Sequence, residues 1–168
     1  MKKTVIFALI IALIAITGCS PTANEKPIGE VLTLNIMLDD LDSLKGTGNG
    51  TLAGIQFIAK YNVAALTYAD CKTALNDAFE ESSFIADAKE QSPGEVMVMI
   101  MDNALRGVVL EGQTERVEFA QLKFNVTGEG TQEIDIEFVT ACDTTGDDAI
   151  EPKIAELLKA EVAATPSE

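Results

Sequence analysis

LAGIQFIAKYNVAAL, residues 52–66, is the stretch on which the reading of this chain turns. Ile55, Phe57, Ala59 and Tyr61 fall at every second position, with Gln56, Ile58 and Lys60 between them. A period of two belongs to a strand with one face on a core. So much apolar bulk on one face requires a second sheet packed opposite.

Working outward, the same alternation recurs. Leu32, Leu34, Ile36 and Leu38 share a face while Thr33 and Asn35 point the other way, and further strands are expected over 95–102, 117–126 and 133–139. Between 117 and 126 the apolar set changes phase, from Val117 and Phe119 to Leu122, Phe124 and Val126, which predicts a bulge or bend near Ala120. Turn signals separate the strands: Gly46, Gly48 and Gly50 in KGTGNG, then Pro93-Gly94, Gly107, Gly112, and Gly128 with Gly130. Many short strands between glycine turns indicate a β-sandwich. Two helices are expected to interrupt it. One lies within 72–84; the other covers 152–163, with Pro152 near its start and Ile154, Leu157, Leu158 and Val162 along one stripe, ahead of a frayed ATPSE tail.

The first twenty residues, MKKTVIFALIIALIAITGCS, have the form of an export signal. Lys2 and Lys3 precede an apolar run from Val5 to Ile16, and small residues lead to Cys19. The run is too short to span a bilayer of about 30 Å, so residues 1–18 are expected to be removed as a lipoprotein signal peptide, leaving Cys19 to carry the lipid. The protein is then expected to be exported and lipid-anchored to the cell envelope, at the outer membrane or cell surface. Residues 19–29, polar and with two prolines, read as a flexible tether.

The chain carries 12 Lys and Arg against 27 Asp and Glu, and loss of Lys2 and Lys3 would take its net charge from −15 to −17. Nucleic acid and anionic headgroups are poor partners for such a surface, so membrane contact is expected through the Cys19 lipid only. There is no His and no GxSxG nucleophile context, which excludes the familiar triads and points away from an enzyme. GTGNGTLAG, from Gly46, lacks the Lys and the strand-to-helix setting of a phosphate loop. Asp143, Thr145, Asp147 and Asp148 could offer calcium hard oxygen ligands, but Asp148 stands where an EF-hand needs Gly and Ile154 where it needs a bidentate Glu. A solvated acidic turn or an incidental calcium site are the readings there, and no other cofactor is expected. Cys71 and Cys142 could pair in an exported protein or remain two buried thiols. On 95–101, Val96, Val98 and Ile100 share one face and Met97, Met99 and Met101 the other, so either both faces are buried or one is adhesive.

Residues 52–66 resemble the third-strand signature of cohesin domains. Gly94-Glu95-Val96-Met97-Val98 resembles that family's glycine-led middle strand, and FAQLKFNVTGEGTQEIDIEF, 119–138, its late pair of strands around a glycine turn. The resemblance extends over residues 31–151. It implies an all-β, nine-stranded jelly-roll β-sandwich over 30–151, with 152–168 as C-terminal helix and tail. It also implies binding of a dockerin-like or other protein module, linked to polysaccharide handling. Cohesins bind dockerin on the sheet containing the middle strands, which implies a partner-binding face of Gln56, Ile58, Lys60, Met97, Met99, Met101, Gln121, Lys123 and Asn125. The family's layout also sets Cys71 and Cys142 near opposite edges of a sheet, against a disulfide. A carbohydrate-binding sandwich is the alternative, and a structural envelope lipoprotein a third. There is no Trp, and the two tyrosines, Tyr61 expected inward and Tyr68 just before Cys71, cannot build the aromatic platform that glycan capture favours.

Overall fold

The computed structural model describes residues 26–44, 47, 49–75, 83–104, 106–109, 116–146, 148 and 150–163. Residues 1–25, with the expected signal peptide and Cys19, lie outside that description, as do 76–82, where most of the first expected helix falls.

The described strands are β1 (Val31–Leu38), β2 (Thr51–Leu52), β3 (Gly54–Tyr61), β4 (Leu66–Thr73), β5 (Phe84–Ser92), β6 (Glu95–Asp102), β7 (Val108–Val109), β8 (Val117–Val126), β9 (Ile134–Cys142) and β10 (Leu158–Val162). One helix, α1 (Glu151–Leu157), precedes β10. Two four-stranded sheets, ordered β10-β1-β8-β4 and β5-β6-β3-β9, carry the fold, with β2 and β7 paired apart from them. All pairings are antiparallel.

The alternation of the sequence becomes the inner faces of these sheets. Leu32, Leu34, Ile36 and Leu38 of β1 and Leu122, Phe124 and Val126 of β8 are buried on one side; Ile55, Phe57 and Ala59 of β3 and Val96, Val98 and Ile100 of β6 are buried on the other. They form one core, because each sheet can remove its apolar face from water only against the other. The bulge expected near Ala120 is present: Ile36 pairs with Ala120 and Met37 with Glu118, so Phe119 is the extra residue, and Phe119 and Ala120 are both buried.

Two expectations are corrected. The helix expected over 152–163 ends at Leu157, and Leu158–Val162 is instead an edge strand hydrogen-bonded to β1, from Leu34↔Val162 to Leu38↔Leu158. An open β1 edge offers five residues a complete ladder, which outweighs continuing the helix. This strand brings the described total to ten rather than nine. The other expected helix, within 72–84, is met at Leu75, which is helical and lies between the end of β4 at Thr73 and the start of β5 at Phe84; the rest of that stretch falls on 76–82, outside the described residues. The last residues of the expected tether are also docked rather than free. Gln132, buried, accepts from the Lys26 amide at 2.8 Å and donates to the Lys26 carbonyl at 2.6 Å, while the Gly29 amide donates to Val126 O.

Near that end the chain passes so close to itself that one position admits only glycine. A Cβ on Gly128 would lie 2.1 Å from the Ala64 carbonyl oxygen, and the Gly128 amide donates to Ala65 O. Backbone cannot yield as a flexible side chain does, so Gly128→Ala is expected to cost about 1–3 kcal/mol or more in urea unfolding. A cost below a few tenths would show that the two segments are not held together.

Candidate functional site

The outer face of β5-β6-β3-β9 is the part of the surface where apolar side chains concentrate. Its composition follows from the registers. Gly54 stands between Met101 and Cys142, and Met101 faces Ile85 on the far side. In the next row Asp87, Met99, Gln56 and Thr140 follow one another across the sheet; then come Lys89, Met97, Ile58 and Glu137; then Glu95, Lys60 and Asp135. One end is apolar and sulfur-rich, the other charged. Met99 and Met101 are each 37% exposed, Ile85 47%, and Val139, the extra residue of a bulge opposite Gln56 and Phe57, 41%. The methionine face of β6 is therefore open. Methionine adapts its shape to what it touches, which suits an adhesive surface.

At the charged end, Lys60 forms an ion pair with Glu137 at 2.5 Å. Its pKa is raised, first by that hydrogen bond and then by the Glu137 charge, with Glu95 and Asp135 adding to it. The lysine is thus held as a cation among carboxylates. Beneath it Tyr61 is buried as expected, its hydroxyl donating to Glu90 at 2.7 Å; burial, then the Glu90 bond, raises its pKa.

The expected nine-residue face is split by the fold. Gln56, Ile58, Lys60, Met97, Met99 and Met101 share the outer surface just described, but Gln121, Lys123 and Asn125 lie on β8, in the other sheet. There Lys123 pairs across strands with Thr33 and Asp70, Gln121 with Asn35 and Lys72, and Asn125 with Val31 and Thr67, a predominantly polar surface. β8 closes the sandwich opposite β3 and β6, so its outward residues face away from theirs. In exchange the face gains Ile85, Asp87 and Lys89 from β5 and Asp135, Glu137 and Val139 from β9. The signal for the β9 residues is the alternation of 133–139, with Ile134, Ile136 and Phe138 on one side and Asp135, Glu137 and Val139 on the other, which sequence reading did not carry over to the face; for β5 the small residues Ala86 and Ala88 leave too weak a period to read.

Cys71 and Cys142 are both free. They sit on β4 and β9, edge strands of different sheets, and β4 neighbours β5 across the sandwich, the edge opposite β9. Burial, then Asp70, raises the Cys71 pKa to about 12; burial, then Asp143, raises that of Cys142. Tyr68 is half-buried edge-on to Phe124, so neither tyrosine offers a flat exposed ring.

Of the calcium candidates, Asp143 is buried and its Oδ1 accepts from the Thr145 amide and hydroxyl, both at 2.7 Å; Asp148 is exposed, and Asp147 lies outside the described residues. Among the described residues no three His, Cys, Asp or Glu side chains gather to hold a metal ion.

The face is braced at its apolar end by Asp102, which sequence reading did not single out. It is 1% exposed and accepts from Ser83 Oγ (2.7 Å) and the amides of Ala104 (3.0 Å), Arg106 (2.7 Å) and Gly107 (2.6 Å). Burial alone would raise its pKa; the four donors outweigh it and hold the carboxyl below its ordinary value. The unfolded chain therefore takes up this proton first as acid is added. The carboxylate's contribution is complete above about pH 4 and is lost as pH falls through the folded value. Asp102→Asn turns an amide donor toward backbone donors and is expected to cost about 1.5–3 kcal/mol at pH 7. Urea titrations at pH 7 and pH 3 should show that the variant loses less stability on acidification than the wild type; an equal loss would remove Asp102 from this role.

No family model matches the chain, and no curated protein matches it. Solved structures do. A cohesin module from a Clostridium perfringens family 33 glycoside hydrolase superposes with TM-score 0.58 at 12% identity, over 86% of this chain and 91% of that one. The sixth cohesin of Acetivibrio cellulolyticus scaffoldin B, seen in complex with a mutant Cel5 dockerin, gives 0.54 at 15% identity, over 82% and 89%. The seventh ScaB type I cohesin of Pseudobacteroides cellulosolvens gives 0.51 at 11%, over 85% and 90%. The chain has the all-β sandwich fold of cohesin modules, which is the fold that residues 52–66, 94–98 and 119–138 implied.

Proposed function

We propose that this chain is a non-enzymatic, lipid-anchored envelope protein that presents the outer face of β5-β6-β3-β9 to a dockerin-like protein module. The observation that carries the reading is the contrast between the two outer faces: open methionines and isoleucine on this one, polar pairs on the other. The cohesin fold supports it, since one of the neighbours is seen in complex with a dockerin. The signal-like residues 1–18 and Cys19 support export and anchoring, at the outer membrane or cell surface. A link to polysaccharide handling follows from the same family likeness.

The test is capture. The purified protein is immobilised, exposed to envelope and secreted fractions of its own cell with calcium and then with chelator, and the retained material identified. Retention of a dockerin-bearing protein supports the reading. Retention on polysaccharide with no protein partner overturns it in favour of glycan binding, and retention of envelope components alone favours a structural role.

A further inference from the structure

The apolar end of the outer face also collects sulfur. Met97, Met99, Met101 and Cys142 all lie there, leaving only Met37 and Cys71 elsewhere among the described sulfur residues. Their arrangement centres on a glycine. Gly54 pairs with Met101 on one side and Cys142 on the other, so all three project from the same surface. A Cβ built on Gly54 would meet Cys142 Sγ at 3.3 Å and Met101 Cβ at 3.9 Å. The thiol therefore leans over the glycine, and nothing on Gly54 separates it from the methionine. Met99 follows Met101 on the same face about 6.6 Å along the strand, within the span of two long side chains. Beside Met99 stand Gln56 and Asp87, and the chain contains no imidazole.

A thiol with two thioethers is a soft donor set. Such ligands select Cu(I) over the hard cations that prefer carboxylate and water. We infer that Cys142 and Met101, on either side of the bare backbone of Gly54, together with Met99 one row along the same face, form a binding site for Cu(I). On binding, Cys142 gives up its proton to solvent and its sulfur donates as thiolate, the two methionine sulfurs donate lone pairs, and no electron is transferred. This site is independent of the partner-binding reading, although an occupied site would alter the same surface.

The experiment is an anaerobic titration of the purified protein against the Cu(I)–bicinchoninate complex, followed by its colour. One Cu(I) per chain should be withdrawn from the chelator. Cys142→Ser should weaken binding by at least about 100-fold and Met101→Leu by at least about 10-fold, the range that even an outer-shell partner's loss spans. Cys71→Ser, on the other sheet, should leave it unchanged. Met101 is surface-exposed, so Met101→Leu carries the test even if a Cys142 variant folds poorly. Failure to compete with the chelator overturns the site, as does full affinity in Met101→Leu or loss of affinity in Cys71→Ser.

Discussion

Phe124→Ala is expected to destabilise the domain by about 3–5 kcal/mol, a large share of the roughly 5–15 kcal/mol that holds a domain folded. Phe124 is fully buried on β8, with its ring 5.2 Å from Tyr61 of β3 and 6.0 Å from Tyr68 of β4. It touches both sheets, so truncation opens a cavity where they meet and removes two ring contacts, one tilted and one edge-on. Tyr61 would be affected in turn, because its hydroxyl reaches Glu90 only from its present seat. Urea unfolding should show the midpoint falling sharply with little change in slope, and Phe124→Leu should recover more than half the loss. A cost under about 1 kcal/mol would mean that the sheets can close over the gap.

Met99→Asp is expected to lower partner affinity by at least about 30-fold, the equivalent of about 2 kcal/mol and the scale of an interface hot spot. Met99 lies between Asp87 and Gln56, in the middle of the exposed rows, so a docked partner would have to desolvate the new carboxylate beside an existing one. The matched control is Lys123→Asp. Lys123 was expected on the same face but projects from the opposite sheet, and its replacement should leave affinity within twofold or so, as rim or distant charges do. Isothermal titration against the captured partner separates the cases. Equal losses in both variants, or a loss in Lys123→Asp alone, would place the binding surface elsewhere. Because Met99 is exposed, its replacement should change stability by no more than the strand-propensity scale of about 1 kcal/mol.

How far the fold could be read from the chain differed from strand to strand. β6 and β8 are bounded to the residue by the sequence, and so is a bulge or bend near Ala120, which the structure puts at Phe119, because long apolar side chains at alternate positions leave a strong period and a phase change inside it. β4, β5 and β10 left no such trace. In β5 only Phe84 is fully buried and Ala86 and Ala88 contribute little volume; β4 buries only Leu66; β10 reads as well in a helical stripe as in a strand. These are edge strands, and an edge strand is specified by the neighbour that completes its ladder rather than by its own pattern.

The candidate face shows the same division. Alternation states which residues of a strand share a side, and it placed Gln56, Ile58 and Lys60 together, and Met97, Met99 and Met101 together, from local sequence alone. Which strands lie side by side is a matter of partners distant in the chain. Only the closed sandwich could put β9 beside β3, turn Lys123 to the other surface, convert Leu158–Val162 from helix to strand, and bring Cys142 over Gly54. Side-chain direction is determined within a few residues by backbone geometry, whereas neighbourhood is decided by burying two apolar faces at once, a global condition that no single segment encodes.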